Sequence, residues 1–201
     1  KNLKNINNFK LIKNSIFLCF FVIFSCFLIK SSNFDSFLIK KNNSFQSGEE
    51  LRYRISYGKA SKKRGALLAG YATLTVSEQI DNKYNLHAFG KTTRLFSLFM
   101  KVRHDYRSTV DKSTLTAMEF SMIAQEGRRV KSDSIIFNYD SLALKEHPND
   151  ILSAFYKLRT LSEEVLSTTD TVFFPYYYDG EIIDSYALIL GEEVIESKFG
   201  K

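Results

Sequence analysis

Tryptophan is absent from this 201-residue chain, histidine occurs three times, proline twice, and no cysteine follows Cys26. Each scarcity removes a class of function. With Cys19 and Cys26 both in an N-terminal apolar run, the rest of the chain has no disulfide, thiolate nucleophile or thiolate metal ligand. No two of His87, His104 and His147 stand at metal-ligand spacing, and no HExxH motif occurs. A G-x-S-x-G elbow, a Walker A loop and a G-x-G-x-x-G turn are also missing. Two prolines and nine glycines exclude a collagenous or linker-like chain. No cofactor is therefore expected. What remains, 44% apolar and 25% charged, suffices for one folded domain with a sizeable core.

The net charge of +6 is unevenly placed. Lys1, Lys4, Lys10, Lys13 and Lys30 give residues 1–33 five positive charges and no acid, leaving 23 basic against 22 acidic groups beyond them. A nearly neutral body lacks the concentrated positive field that phosphate neutralisation needs, so a nucleic-acid partner is not expected.

The run Ile16–Ile29, IFLCFFVIFSCFLI, is 14 residues long and follows four lysines. As a helix it spans about 21 Å, short of the roughly 30 Å hydrocarbon core. A basic flank and this length fit a signal-peptide core, with the positive end left in the cytoplasm and the remainder exported. The expected location is the periplasm, or the periplasmic side of a bacterial membrane. No Ala-x-Ala-like cleavage site follows, so residues 1–30 are read as a signal peptide or as an uncleaved anchor associating with the membrane through residues 11–29. Residues 31–47 read as a tether, with Phe34, Phe37 and Phe45 available to touch the domain, and residues 48–201 as a single mostly β domain.

Beyond Gly48 the apolar positions alternate. Leu51, Tyr53, Ile55 and Tyr57 form one such set; Ala72, Leu74 and Val76 a second; Tyr84, Leu86 and Ala88 a third. Val102, His104, Tyr106 and Val110 follow, then Met118, Phe120, Met122 and Ala124, then Ile135, Phe137 and Tyr139, and finally Tyr186, Leu188 and Leu190. Period two with one wet face describes antiparallel strands, and many in succession predict a curved antiparallel sheet, a partial barrel or a sandwich. Leu95–Met100 breaks the alternation and is read as a short helix or plug. Asp150 is a good N-cap for ILSAFYKLRTL, which places Ile151, Phe155 and Leu158 on one face with Leu152 and Tyr156 beside them. This helix, about 150–161, is expected to pack across the sheet.

Several stretches carry a resemblance: Tyr57-Gly58, Ala69-Gly70-Tyr71-Ala72, Gly90-Lys91-Thr92, Phe99–Ser108 leading to Asp111, Asp150–Arg159, Gly191, and Glu196–Lys201. Over roughly residues 48–201 the chain resembles a family of exported Gram-negative proteins known as domain of unknown function 3108. The resemblance implies an envelope location and a mostly β fold, and brings no activity or catalytic residue with it. In that family the chain continues past such a Gly-Lys, so closing strands are expected beyond Lys201.

Candidate functional residues are few. His104 and Asp105 are neighbours on a strand and point to opposite faces, so they cannot form an orienting pair, and His104 is read as a core histidine. Lys101, Arg103, Asp105, Arg107 and Asp111 share a polar face that either binds an anionic headgroup or sugar or is merely solvated. Asp150, Ser153, Tyr156 and Arg159 are read as packing and pairing groups of the helix. An apolar groove is expected from Phe99, Phe155, Tyr156, Phe173 and Tyr176, with the rest of the Phe173–Tyr178 run. The leading expectation is a non-catalytic envelope protein binding a lipid, another apolar ligand or an envelope protein on its sheet. A membrane-tethered assembly module is the second. A hydrolase of envelope polymers, with an acid/base pair drawn from Asp105, Asp111 or Glu119, is the third.

Overall fold

In the computed structural model the described residues are 44–57, 67–138 and 149–194. The leader, most of the tether, Tyr139 and the Glu196–Lys201 stretch lie outside them. Six strands follow one another as an antiparallel meander: β1 (Glu50–Tyr57), β2 (Leu67–Gln79), β3 (Lys83–Thr92), β4 (Val102–Asp111), β5 (Ala117–Glu126) and β6 (Arg129–Ile136), each paired with the next. The alternation seen from Leu51 to Ile135 is thus a single sheet, with the Tyr186–Leu190 set outside it, and among the described residues β1 and β6 stay unpaired with each other, so it is not closed into a barrel. Two small two-stranded sheets replace the second layer that a sandwich would need. They pair β7 (Thr171–Phe173) with β10 (Tyr186–Leu188) and β8 (Tyr176–Tyr178) with β9 (Glu181–Ile183).

The turns follow local chemistry. Asp81 and Asn82 take φ of 73° and 57° and, with Ile80, form the three-residue loop between Gln79 and Lys83 that closes β2 onto β3. Gly70 is needed for a different reason: a Cβ there would sit 2.6 Å from the Lys91 carbonyl oxygen on β3.

Register makes two distinct faces. On the inner face Val76, Leu86, Ser108 and Phe120 lie in one cross-strand row, with Leu74, Ala88, Tyr106 and Met122 in the next. Helix α2 (Ile151–Leu158) lies on this face, while α1 (Arg94–Ser97) bridges β3 to β4 and α3 (Glu163–Thr168) precedes β7. Leu152 and Tyr156 of α2 enter a core made by Phe45, Val76, Tyr84, Leu86, Val110 and Leu115. Ala154 packs instead on Phe174 and Tyr176.

The expected helix face is rotated. Leu152, Ser153, Ala154, Tyr156 and Lys157 are buried, whereas Phe155 is 41% exposed. The cause is Asp150. Its carboxylate accepts from the backbone N–H of Leu152 at 2.8 Å and of Ser153 at 3.0 Å, and Ser153 Oγ accepts from the Asp150 N–H at 2.9 Å, completing a capping box. Ser108 Oγ of β4 donates to the other carboxylate oxygen at 2.6 Å, so the first turn of α2 is held at a fixed point of the sheet with its axis rotation set. Phe45 also differs from the tether reading. It is buried against Tyr84 and Tyr156, and Gly48 N donates to the Val76 carbonyl oxygen at 2.9 Å, so the domain begins by Ser44.

Burial raises the Asp150 carboxyl above its ordinary value near 3.8, and the Ser108, Leu152 and Ser153 donors pull only partly against it. The folded state then holds this proton at a pH where the unfolded chain has released it. Its contribution to stability is complete below about 3.8 and is lost as pH rises through the folded pKa. Asp150→Asn preserves a cap acceptor and a Ser108 partner, so its unfolding free energy should lack this decline in urea titrations run as a pH series. Asp150→Ala removes both and should cost about 2–4 kcal/mol, from the lost cap and the stranded Ser108 hydroxyl.

Candidate functional site

The structure divides the predicted site residues among several places. Tyr156 is fully buried in the core, and Ser153 and Asp150 are buried in the capping box. Tyr176 is also buried, stacked on Phe174 with ring centroids 6.2 Å apart, and burial raises its phenol. Phe173 is exposed beside Tyr186, Phe155 looks out from α2, and Phe99 is 82% exposed after α1. These aromatic residues share no groove; the inner face where one was expected is filled by Phe45, Leu152, Tyr156 and Tyr177.

Arg159 follows α2 as its C-cap. Its Nη1 donates to Glu49 Oε1 at 2.6 Å and its Nη2 to Glu49 Oε2 at 2.9 Å, a bidentate fork. The same guanidinium lies 5.4 Å from the Phe45 ring and 5.1 Å from the Tyr156 ring, and Nη2 donates to the Ser44 carbonyl oxygen at 3.3 Å. Burial together with the Glu49 charge pushes the Tyr156 phenol up to about 12. The pairing expected of Arg159 is therefore real, with a carboxylate just before β1, and its role is to fasten the entering chain.

Two open grooves lie on the outer face. The larger, about 840 Å³, is lined by Asn85, His87, Arg107, Thr109, Glu119, Ser121, Ser134 and Ile136 with intervening residues of their strands. A second, about 540 Å³, shares Arg107, Ser121 and Ser134 and extends past Asp105, Ile123 and Ser132. The register orders these side chains. His87, Arg107, Ser121 and Ser134 form one row across β3 to β6, and Asn85, Thr109, Glu119 and Ile136 the adjacent row.

Asp105 is shared between two basic side chains. His87 Nε2 lies 3.1 Å from Asp105 Oδ1, and Arg107 Nε donates to the same oxygen at 3.1 Å. Burial raises the Asp105 carboxyl, but Arg107 and His87 outweigh it and leave it below the ordinary carboxylate range. Thr109 Oγ1 donates to Asn85 Oδ1 at 3.2 Å. Arg103 lies outside the grooves and rests its guanidinium 5.1 Å from the Phe89 ring, and Lys101 is exposed at the start of the hairpin return.

Catalytic arrangements are not assembled from the residues proposed for them. His104 stacks on Tyr106, with Tyr106 Oη 3.3 Å from its Nδ1, on the face opposite Asp105. The imidazole that does meet Asp105 comes from the neighbouring strand, diagonally, and the nearest residue directly across from it is Arg107. Glu119 pairs with Thr109, four residues along β4 from Asp105, a separation of about 13 Å. Asp111 is nearer Glu119, about 8 Å by register. Its carboxylate is, however, turned onto the Ser113 and Thr114 backbone N–H groups at 2.9 and 2.8 Å. Those donors overcome burial and keep the Asp111 carboxyl low, the opposite of what a general acid needs. Among the described residues no cluster of His, Cys, Asp or Glu suits a metal ion.

Comparison with known proteins adds one match. Residues 52–201 correspond to the family described as protein of unknown function DUF3108. The chain belongs to that family. No curated protein and no solved structure matches it. The family match begins two residues into β1 and takes in every groove residue of the outer face and all of α2.

Arg159→Lys keeps the charge but loses the fork. It should lower unfolding free energy by about 1–3 kcal/mol, since two charge-assisted hydrogen bonds collapse to one at a largely buried site. Chemical denaturation of the variant checks the figure.

Proposed function

We propose that this chain is a non-catalytic binding module of the bacterial cell envelope, exported by its apolar leader, and that it takes a hydroxyl- and amide-bearing ligand such as a saccharide on the outer face of the six-stranded sheet. The observation that carries the reading is the contrast between the faces. The inner face is closed by α2, Phe45 and the β8 tyrosines, whereas the outer face keeps an open polar groove of about 840 Å³.

The groove chemistry suits a neutral polyol better than an apolar chain. Asn85, Thr109, Ser121 and Ser134 offer mixed donors and acceptors, and the Asp105–Arg107 pair cancels its own charge. Ile123 and Ile136 supply apolar edges against which a sugar ring can lie. The downward shift of Asp105 keeps the Asp105–Arg107 pair charged into mild acid, so the share of affinity that this pair supplies should persist until pH falls into the carboxylate range.

The test is an amide-resolved NMR titration with soluble N-acetylglucosamine oligomers. Dissociation constants near millimolar or tighter are expected, with shifts at His87, Arg107, Ser121 and Ser134. Ser121→Phe, a substitution on the exposed face, should abolish those shifts and leave thermal stability within about 0.5 kcal/mol of the parent. Shifts confined to the α2 face would overturn the assignment of the groove, and no shifts with any oligomer would overturn the saccharide class.

A further inference from the structure

The Leu95–Met100 segment, read as a short helix or a plug, holds the short helix α1 and leaves its apolar residues on the outside. Leu95 is 54% exposed, Leu98 80%, Phe99 82% and Met100 39%. Scattered exposed apolar residues are ordinary, but four within six consecutive positions at the tip of one hairpin form a continuous patch. The tip is also rigid. Thr93 Oγ1 caps α1 by accepting from Phe96 N at 3.3 Å, and Thr92 Oγ1 lies 2.8 Å from Ser97 Oγ. Val102 N donates to Thr92 Oγ1 at 3.0 Å, and Phe96 turns back against Tyr57 with ring centroids 6.1 Å apart. Nothing has to be ordered for this patch to be presented.

Its surroundings are cationic. Arg94 and Lys101 flank the apolar residues directly, and Gly127 N donates to the Lys101 carbonyl oxygen at 2.7 Å, which brings the β5–β6 turn with Arg128 and Arg129 alongside. All four basic residues are exposed and form no ion pair among the described residues. Of the nearby acids, Asp179 pairs with Lys131 and Glu126 lies 3.3 Å from His104 Nε2. The opposite end of the sheet has no such excess: Asp81 and Asp111 stand in its turns beside Lys83 and Lys112, and Glu50 pairs with Arg52 at 2.6 Å.

We infer that the α1 tip is a membrane-docking element, with Leu95, Leu98, Phe99 and Met100 entering the interface of an anionic lipid bilayer and Arg94, Lys101, Arg128 and Arg129 meeting its headgroups. Large apolar side chains ringed by arginine and lysine are the composition that an interfacial element needs, because burial of the former and attraction of the latter act on the same end of the molecule. The concentration of basic groups at one end of the sheet orients the domain, tip toward the lipid. This docking is independent of the outer-face groove and of the leader.

The absence of tryptophan makes the test direct. Phe99→Trp installs a single reporter at the tip, and Ile80→Trp, at an 88% exposed position in the opposite turn, installs the control. Each full-length chain, leader included, is added to phosphatidylethanolamine/phosphatidylglycerol vesicles containing lipid brominated on the acyl chains. Bromolipid should quench the Phe99→Trp reporter and leave the Ile80→Trp reporter untouched, whatever the leader does, since both chains carry it. Arg94→Glu with Lys101→Glu should reduce quenching at the tip about tenfold, as should replacing the anionic lipid by phosphatidylcholine. Equal quenching at both positions, or none at either, overturns the proposal. A tip reporter shielded from an aqueous quencher yet untouched by bromolipid also overturns it, and assigns the patch to a protein surface.

Discussion

A single short hydrogen bond, from Ser108 Oγ to the buried Asp150 carboxylate at 2.6 Å, fixes how the second half of this domain meets the first. Ser108 is a small, buried polar residue on the apolar inner face of the meander, and there β4 offers a hydroxyl to the helix cap. The cap determines the rotation of α2 about its axis, and that rotation selects Tyr156 rather than Phe155 for the core. The carboxylate residue also forms an isolated parallel bridge with Tyr177, whose N–H donates to the Asn149 carbonyl oxygen at 2.9 Å. Strand β4, helix α2 and strand β8 thus meet at one residue. Such a buried carboxyl is tolerated because every nearby donor is aimed at it, and its cost appears as a raised pKa rather than as an unsatisfied group.

The consequence is a sheet with two unlike sides. Inner-face residues are committed to packing, including the aromatic run Phe174–Tyr177, three of whose members are buried. Outer-face residues have no covering layer among the described elements, and there alternation places asparagine, threonine, serine, histidine and arginine in rows. A polar, rowed surface on a rigid sheet holds its hydrogen-bonding groups at fixed spacing, which is what selective recognition of a polyol requires. Within the face Asp105 is held between His87 and Arg107.

Much of this architecture was legible in the alternation. Leu74 and Val76, Leu86 and Ala88, Tyr106 and Val110, and Phe120 and Met122 are all inner-face residues of successive strands, as period two requires, and Asp150 announced the helix start. The helix face departs from the pattern for a physical reason: counting apolar residues favours Phe155, whereas a tertiary hydrogen bond that no periodicity records selects Tyr156. The Leu95–Met100 run reads as a short helix or a plug, and the structure makes it the helix α1, too short to bury its apolar residues. The outer-face groove was out of reach for another reason. Asp105 was noticed, but its partnership with His87 is diagonal across two strands and exists only once register is fixed. Phe45 was named as able to touch the domain, and only the fold shows that it is a core residue.

The Glu49–Arg159 fork has a mechanical meaning as well as an energetic one. Strand β1 is held on one side by β2, and a pull on the chain entering at Ser44 would act at the end where Glu50 faces Thr75, peeling the ladder one hydrogen bond at a time. The fork, with Phe45 wedged between Tyr84 and Tyr156, stands upstream of that point. Load arriving from the N-terminal side is therefore taken first by α2 and, through Asp150, by the central strand β4, so tension is spread across the middle of the sheet before it can unzip the edge.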